Sequence, residues 1–172
     1  QRDTRDLDIL VRANAALLDV LEKLWEERAP GLPYKTAYEA LILSSIIEKE
    51  TALPKERTQI SGVFVRRLNM GMRLQADPTV IYGLGSAFDG NLRRSHLNDK
   101  ENYYNTYKNN GLPPTPIALS GIESIIAAFN PDDSGAIYFV ADGLGGHVFN
   151  ATLSGHNAAV KEYLLKSKTV EN

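Results

Sequence analysis

The stretch SSIIEKET, Ser44 to Thr51, closes an apolar run with two glutamates on either side of a lysine. Carboxyl groups can protonate a leaving oxygen or take a proton from an attacking hydroxyl. On a helix each residue advances by about 100°. With Glu50 as origin, Leu43 falls about 20° away, Ile46 about 40° and Ile47 about 60°. These residues form the i, i+3, i+4, i+7 stripe that faces a core, and Glu50 stands where one more leucine is expected. Glu48 points about 160° the other way, near Ser44 and Leu41. It reads as a surface residue, with Lys49 solvated beside it. The two carboxylates therefore do not share one site through this helix. Apolar neighbours penalise the charged form, so the pKa of Glu50 is expected above the usual carboxylate range, as a general acid requires. The competing reading is a helix end at which Glu50 pairs with an arginine, since structural ion pairs also perturb pKa values.

The elements that must hold this acid follow from periodicity. From about Thr4 to Arg28, Leu7, Leu10, Leu17, Leu21 and Leu24 recur at helical spacing, and Ala29-Pro30-Gly31 stops the helix. Thr36-Ala37-Tyr38-Glu39 is a capping box that opens a second helix to about Thr51. Pro54 suits the first turn of a third helix, with Ile60, Val63, Phe64 and Leu68 on one face and Gly71 as its stop. Between Gly71 and Leu119 the period is lost, and a segment that long is more often functional than idle. Ser120-Gly121-Ile122-Glu123 reads as a second capping box, for a helix ending at Phe129. Ala136 to Val140 reads as a buried strand, ADGLGG as a turn, and His147 to Asn150 as the return strand. A last helix runs from about Leu153 to Lys166. The expected class is α+β, mostly helical with a late β-hairpin, in a single domain of residues 1–172.

Composition narrows the function classes. The chain has 172 residues and carries 19 basic and 21 acidic side chains, for a net charge of −2. That balance argues against a nucleic-acid binder. There is no cysteine, hence no disulfide framework and no thiolate metal site. No apolar run approaches the roughly 18 residues of a membrane span. His96, His147 and His156 lack metal-ligand spacing, so no metal or cofactor is expected. A Ser154/His156/Asp142 triad is conceivable, but Ser154 reads better as a cap for the last helix. GLGGH lies between strands and reads as a hairpin turn, not a phosphate cradle. Arg66-Arg67 and Arg93-Arg94 read as solvated charge, or as contacts to acidic peptide stems. Pro113, Pro114 and Pro116 stiffen GLPPTPIA, as a rigid connector or as the wall of a groove.

Four blocks in order, SSIIEKET, GMRLQADPTVIYGLG, NTYKNNGLPPTPIALSG and YFVADGLGGHVFN, resemble the YceG-like family of endolytic murein transglycosylases. The resemblance covers about Gly31 to Leu164. It implies a lysozyme/transglycosylase-like catalytic domain that cleaves the β-1,4 bond between N-acetylmuramic acid and N-acetylglucosamine. It implies no water in the reaction: the muramyl C6 hydroxyl attacks C1 and leaves a 1,6-anhydro end. The family's catalytic glutamate falls on Glu50. The resemblance also implies an extracytoplasmic domain of a single-pass inner-membrane protein, whose membrane span and LysM-like domain are absent from this chain. Glycan strands are the implied partner, beside peptidoglycan synthases (penicillin-binding proteins).

Similarity to the wider lytic transglycosylases aligns Glu50-Thr51 with a Glu-Ser pair. It aligns Gly71 to Gln75 with a Gly-Leu-Met-Gln motif, and Tyr104-Asn105 with a Tyr-Asn motif. Gln75, Asn105 and the phenols of Tyr82 or Tyr104 are then the dipoles expected to face a cationic sugar centre. Asp77, in QADPT, is either a turn and capping residue ahead of Thr79 or a second carboxylate. Hydrolases need two carboxylates, whereas a transglycosylase needs one. Two other readings stand beside the leading one. One is a non-catalytic peptidoglycan-binding or scaffolding module with Glu50 as a buried structural acid. The other is a hydrolytic muramidase that uses Asp77.

Overall fold

The structure is a computed structural model that describes residues 5–170; Thr4, the expected start of the first helix, lies outside the described residues. The elements run α1 (Asp6–Glu26), α2 (Ala37–Glu50), a 3-10 turn (Pro54–Glu56), α3 (Arg57–Asn69) and α4 (Asp77–Leu84). A second 3-10 turn (Gly85–Ala87), α5 (Arg94–Asn98) and α6 (Ile122–Phe129) follow, then β1 (Tyr138–Ala141), β2 (His147–Asn150) and α7 (Leu153–Val170). The fold is α+β and mostly helical. Among the described residues no helix is long and apolar enough to cross a membrane.

Helix α2 is the axis of the domain. Its capping box forms as read: Thr36 Oγ1 accepts from the Glu39 N–H at 3.2 Å, and the Glu39 carboxylate accepts from the Thr36 N–H at 3.3 Å. Four helices, α1, α3, α4 and α6, pack around it. Every residue from Ile42 to Ile47 is buried, serines included. A single apolar stripe was expected, but the middle of the helix, Ile42 to Ile47, is covered on all sides. Ser44 and Ser45 close their hydroxyls onto Leu41 and Ile42 carbonyls, which lets polar residues sit in a core. The helix ends at Glu50 because Thr51 turns to extended geometry, φ −143° and ψ 139°.

The face of α2 that was read as solvated is covered by the start of α6. Ser44 Oγ meets Ser120 Oγ at 2.8 Å. The Glu48 carboxylate accepts from the Gly121 N–H at 3.0 Å and from Ser124 Oγ at 2.6 Å. Glu48 is thus not an ordinary surface residue. It caps α6 from another helix, in place of the expected Ser120–Glu123 box, which does not form. The hydrogen bond from Ser124, outweighing partial burial, holds its pKa below the usual carboxylate range.

Other boundaries differ for local reasons. Leu7 and Leu10 are 63% and 65% exposed, so the apolar stripe of α1 packs only over its C-terminal half, from Leu17 to Trp25. The third helix starts at Arg57, after a separate turn at Pro54. The aperiodic segment contains α4, which begins at Asp77-Pro78 with proline in its first turn, a position that proline favours. Strand β1 begins at Tyr138 and is only half-buried. It pairs antiparallel with β2, Tyr138 opposite Asn150 and Ala141 opposite His147. In the turn, Asp142 Oδ1 accepts from the Leu144 and Gly146 N–H groups, while Gly143 and Gly145 adopt φ of +80° and +91°. Thr152, not Ser154, caps α7, its Oγ1 accepting from the Gly155 N–H at 3.2 Å.

Loss of the Glu48 carboxylate should leave the Gly121 N–H and the Ser124 hydroxyl at the start of α6 without this acceptor. Glu48→Ala is expected to lower unfolding stability by about 1–2 kcal/mol. Lys49→Ala, on the exposed face, is expected to stay within about 0.5 kcal/mol. Urea denaturation of the three chains checks this.

Candidate active site

A cavity of about 430 Å³ opens beside the C-terminal end of α2. One wall carries Glu50, Arg67, Leu74, Gln75, Asp77 and Tyr107. The other carries Phe139, Val140, Ala141, His147 and His156. Glu50 stands on this wall because it is the last residue of a buried helix, with Ile46 and Ile47 fully buried behind it. Burial, and then the charge of Asp77, pushes its pKa up to about 8. Its carboxyl group is therefore mainly neutral at pH 7. No arginine or lysine forms an ion pair with it among the described residues, so the helix-end ion-pair reading is not what the structure shows.

Asp77, the first residue of α4, also faces this cavity, and its Oδ1 accepts from the Tyr107 hydroxyl at 2.6 Å. Burial first, and the Asp77 carboxylate next, raise the Tyr107 phenol well above its ordinary pKa. Tyr107 therefore remains a neutral donor. Gln75 lies in the left-handed region at φ +56°, the only non-glycine residue with positive φ among the described residues. Such a conformation costs about 1–3 kcal/mol and persists only where its surroundings impose it. Here the flanks are pinned. Leu74 is buried, Gln75 N–H donates to the Thr106 carbonyl at 3.2 Å, and Ala76 N–H donates to Thr106 Oγ1 at 3.0 Å.

Arg67 fastens both walls. It is 8% exposed, and its Nε donates to the Ile137 carbonyl at 2.7 Å, at the base of the hairpin. Its Nη1 donates to the Leu74 carbonyl at 2.8 Å and the Arg73 carbonyl at 3.3 Å, and reaches Gln75 Oε1 at 3.5 Å. The guanidinium also lies over the Tyr138 ring, 5.3 Å from its centre. Arg66 donates to the Ala136 and Asp132 carbonyls, each at 2.7 Å, and pairs with the Asp132 carboxylate. The Arg66-Arg67 pair is thus scaffolding, Arg67 buried and Arg66 partly so, where solvated charge or contacts to peptide stems were expected. Arg93 does pair at the surface, with Asp89.

Of the residues singled out from sequence, Glu50, Gln75 and Asp77 share the cavity; Tyr82, Tyr104 and Asn105 lie outside its lining. Asn105 is fully buried and folds a loop. Its Nδ2 donates to the carbonyls of His96, Leu97 and Asp99, and its Oδ1 accepts from the Tyr107 N–H. Tyr104 bonds Thr115 Oγ1 at 2.8 Å and packs on Tyr82, ring centres 4.8 Å apart. The loop of Pro113 and Pro114 borders a second cavity, of about 540 Å³, with Pro33, Tyr34 and Tyr38. The Ser154/His156/Asp142 triad does not form. Asp142 is engaged in the hairpin turn, and His156 stacks on Tyr138 at 5.2 Å. Among the described residues no cluster of His, Asp and Glu could hold a metal ion. Sequence reading missed Arg67, Tyr107, Phe139, His147 and His156 as cavity residues.

A neutral carboxyl on a cavity wall, with Gln75 and Tyr107 as neighbouring polar groups, suits proton donation to a bound leaving group. The model of the YceG-like family matches residues 1–162. This chain belongs to the YceG-like family. It is 41% identical over 129 residues to an endolytic murein transglycosylase of Bacillus subtilis (strain 168), a match covering 75% of the chain and 35% of that protein. It is 33% identical over 141 residues to an endolytic murein transglycosylase of Streptococcus pneumoniae serotype 2 (strain D39 / NCTC 7466), covering 75% and 24%. The crystal structure of a YceG-like protein from Listeria monocytogenes superposes with a TM-score of 0.69 at 38% identity, covering 89% of this chain and 46% of that one. The chain thus spans between about a quarter and a third of these curated relatives. This chain's own fold is mostly helical with a small hairpin, as the sequence implied.

The raised pKa of Glu50 has a consequence for stability. The folded chain keeps this proton to about pH 8, whereas the unfolded chain releases it near pH 4.5. Ionisation therefore works against the fold as pH rises through that window. Glu50→Gln removes the penalty. Relative to the parent, the variant should gain stability between pH 5 and pH 8.5, by a few kcal/mol at about 1.36 kcal/mol per pH unit. Urea unfolding at the two pH values checks this, and a gap that narrows with rising pH contradicts it.

Proposed function

We propose that this chain cleaves glycan strands of peptidoglycan between N-acetylmuramic acid and N-acetylglucosamine, with Glu50 as the acid and then the base. The observation that carries the reading is the neutral Glu50 carboxyl on the wall of a cavity open to solvent. The printed names of the curated relatives support the substrate class. Glu50 protonates the leaving glycosidic oxygen as the C1–O bond breaks. The carboxylate so formed takes the proton of the muramyl C6 hydroxyl as that oxygen bonds to C1. The nucleophile belongs to the sugar, so its effective concentration replaces an activated water. The oxocarbenium-like centre is met by the oxygens and dipoles that ring the cavity, with Gln75 and the Asp77–Tyr107 pair nearest in role.

One observation favours a second outcome. Asp77 shares the cavity with Glu50, and its charge bears on that acid. A second carboxylate beside the acid is what hydrolysis requires, so a muramidase reaction through Asp77 is the alternative product route. The work is placed outside the cytoplasmic membrane, where the substrate is, and penicillin-binding proteins that build the strands are the expected neighbours. A non-catalytic glycan-binding module, with Glu50 as a buried structural acid, is the reading that an inactive parent chain would favour.

Digestion of purified murein sacculi separates these outcomes. The parent chain should release fragments ending in 1,6-anhydromuramic acid, one water lighter than a hydrolysed end and not reduced by borohydride. Glu50→Gln should lower the rate by about 10²–10⁴-fold, the usual contribution of a general acid. Reducible, hydrated ends that vanish in Asp77→Asn would assign the hydrolytic route instead.

A further inference from the structure

We propose that His147, its ring fixed by the buried carboxylate of Glu56, accepts a hydrogen bond from a glycan hydroxyl in the Glu50 cavity. The inference rests on the glycan-cleaving reading above and adds a second substrate-facing group, from the hairpin, on the lining of the same cavity. Glu56 ends the 3-10 turn between α2 and α3 and is 5% exposed. Its Oε1 accepts from the His147 backbone N–H at 3.0 Å. Its Oε2 accepts from Thr51 Oγ1 at 3.1 Å and lies 2.8 Å from His147 Nδ1. Burial alone would raise the Glu56 pKa, but the bonds from the His147 ring, the His147 N–H and Thr51 outweigh it and hold the carboxyl below its usual range.

The ionised carboxylate can only accept, so the proton of this contact belongs to His147 Nδ1. In the neutral ring Nε2 is then an acceptor with a free lone pair. A carboxylate that orients an imidazole in this way is a recurrent device for selecting one tautomer. The ring has little freedom. It meets Phe139 edge-on at 5.2 Å and Phe149 at 6.3 Å. The approach also depends on Gly146, where a Cβ would come within 2.7 Å of Glu56 Oε1. The result is a built polar group on the lining of the cavity that holds Glu50. The two groups have opposite character: Glu50 presents a proton, and the neutral His147 ring presents a lone pair. A sugar bears hydroxyls that can donate to such a nitrogen, and a ring held from behind by a buried ion cannot turn to offer Nδ1 instead.

Nitrogen NMR of the histidine-labelled Glu50→Gln chain tests this with a disaccharide-repeat tetrasaccharide of murein as the probe. At a pH where the ring is neutral, Nδ1 should carry its proton, and saturation with the tetrasaccharide should move the Nε2 signal while Nδ1 stays protonated. In the same background, His147→Ala should weaken tetrasaccharide binding by about three- to tenfold, the scale of one lost neutral hydrogen bond. His147→Gln, whose Oε1 can accept, should recover part of it, with both variants folded by circular dichroism. A neutral ring that carries its proton on Nε2, or an Nε2 signal unmoved when the tetrasaccharide is bound, overturns the assignment. A Glu50→Gln chain that binds no murein fragment overturns the glycan reading itself, and this inference with it.

Discussion

The guanidinium of Arg67 is the constraint from which the site hangs. A cation that is only 8% exposed is costly unless its donors are spent. Arg67 spends them on main-chain carbonyls of two segments that are distant in sequence, Ile137 ahead of the hairpin and Arg73-Leu74 before α4. Those segments are the roots of the two cavity walls. Carbonyl acceptors fix backbone positions, whereas a carboxylate partner would fix only another side chain. The left-handed Gln75 follows directly after the clamped Leu74, so its unusual conformation is held on the side where the clamp acts.

Three glutamates within nine residues show how environment divides one side-chain type into three tasks. Glu48 faces the start of α6 and gives its charge to an N–H and a hydroxyl. Glu50 faces a cavity, has no cationic partner among the described residues, and keeps its proton. Glu56 is as buried as the core yet ionised, because three hydrogen bonds converge on it. Burial alone does not set the protonation state. The supply of donors decides whether a buried carboxyl is an acid or an anchor. Thr51 links two of these tasks: it ends the helix that carries Glu50 and donates to Glu56.

Much of this was legible in the sequence, and the remainder was hidden for identifiable reasons. Helix α2, its capping box and the inward place of Glu50 follow from spacing alone. Arg67 carried the same signal unread: Ile60, Val63, Phe64 and Arg67 form an i, i+3, i+4, i+7 stripe, so a charged residue sits on a core face there too. Helix α4 was obscured by Asp77-Pro78, which reads as a turn but also suits a helix start. Glu48 was misread because a single helix does not show what covers its other side. Tyr107, His147 and His156 reach the cavity through long-range packing, which leaves no local pattern. Tyr104 and Asn105 occupy the motif position, yet Asn105 shapes the loop and Tyr107 two residues later enters the cavity.

The two walls are far apart along the chain: Glu50 to Asp77 on one, Phe139 to His156 on the other. Contacts between segments so distant carry the entropic cost of closing the intervening loop. The acid itself sits in a locally encoded helix and can be in place before its cavity exists. A chain still emerging from the ribosome, or clipped ahead of Tyr138, would carry Glu50 without the hairpin that encloses it and without the ring that Glu56 is placed to hold. The enclosure around the acid therefore needs the C-terminal hairpin as well as the helix that carries the acid.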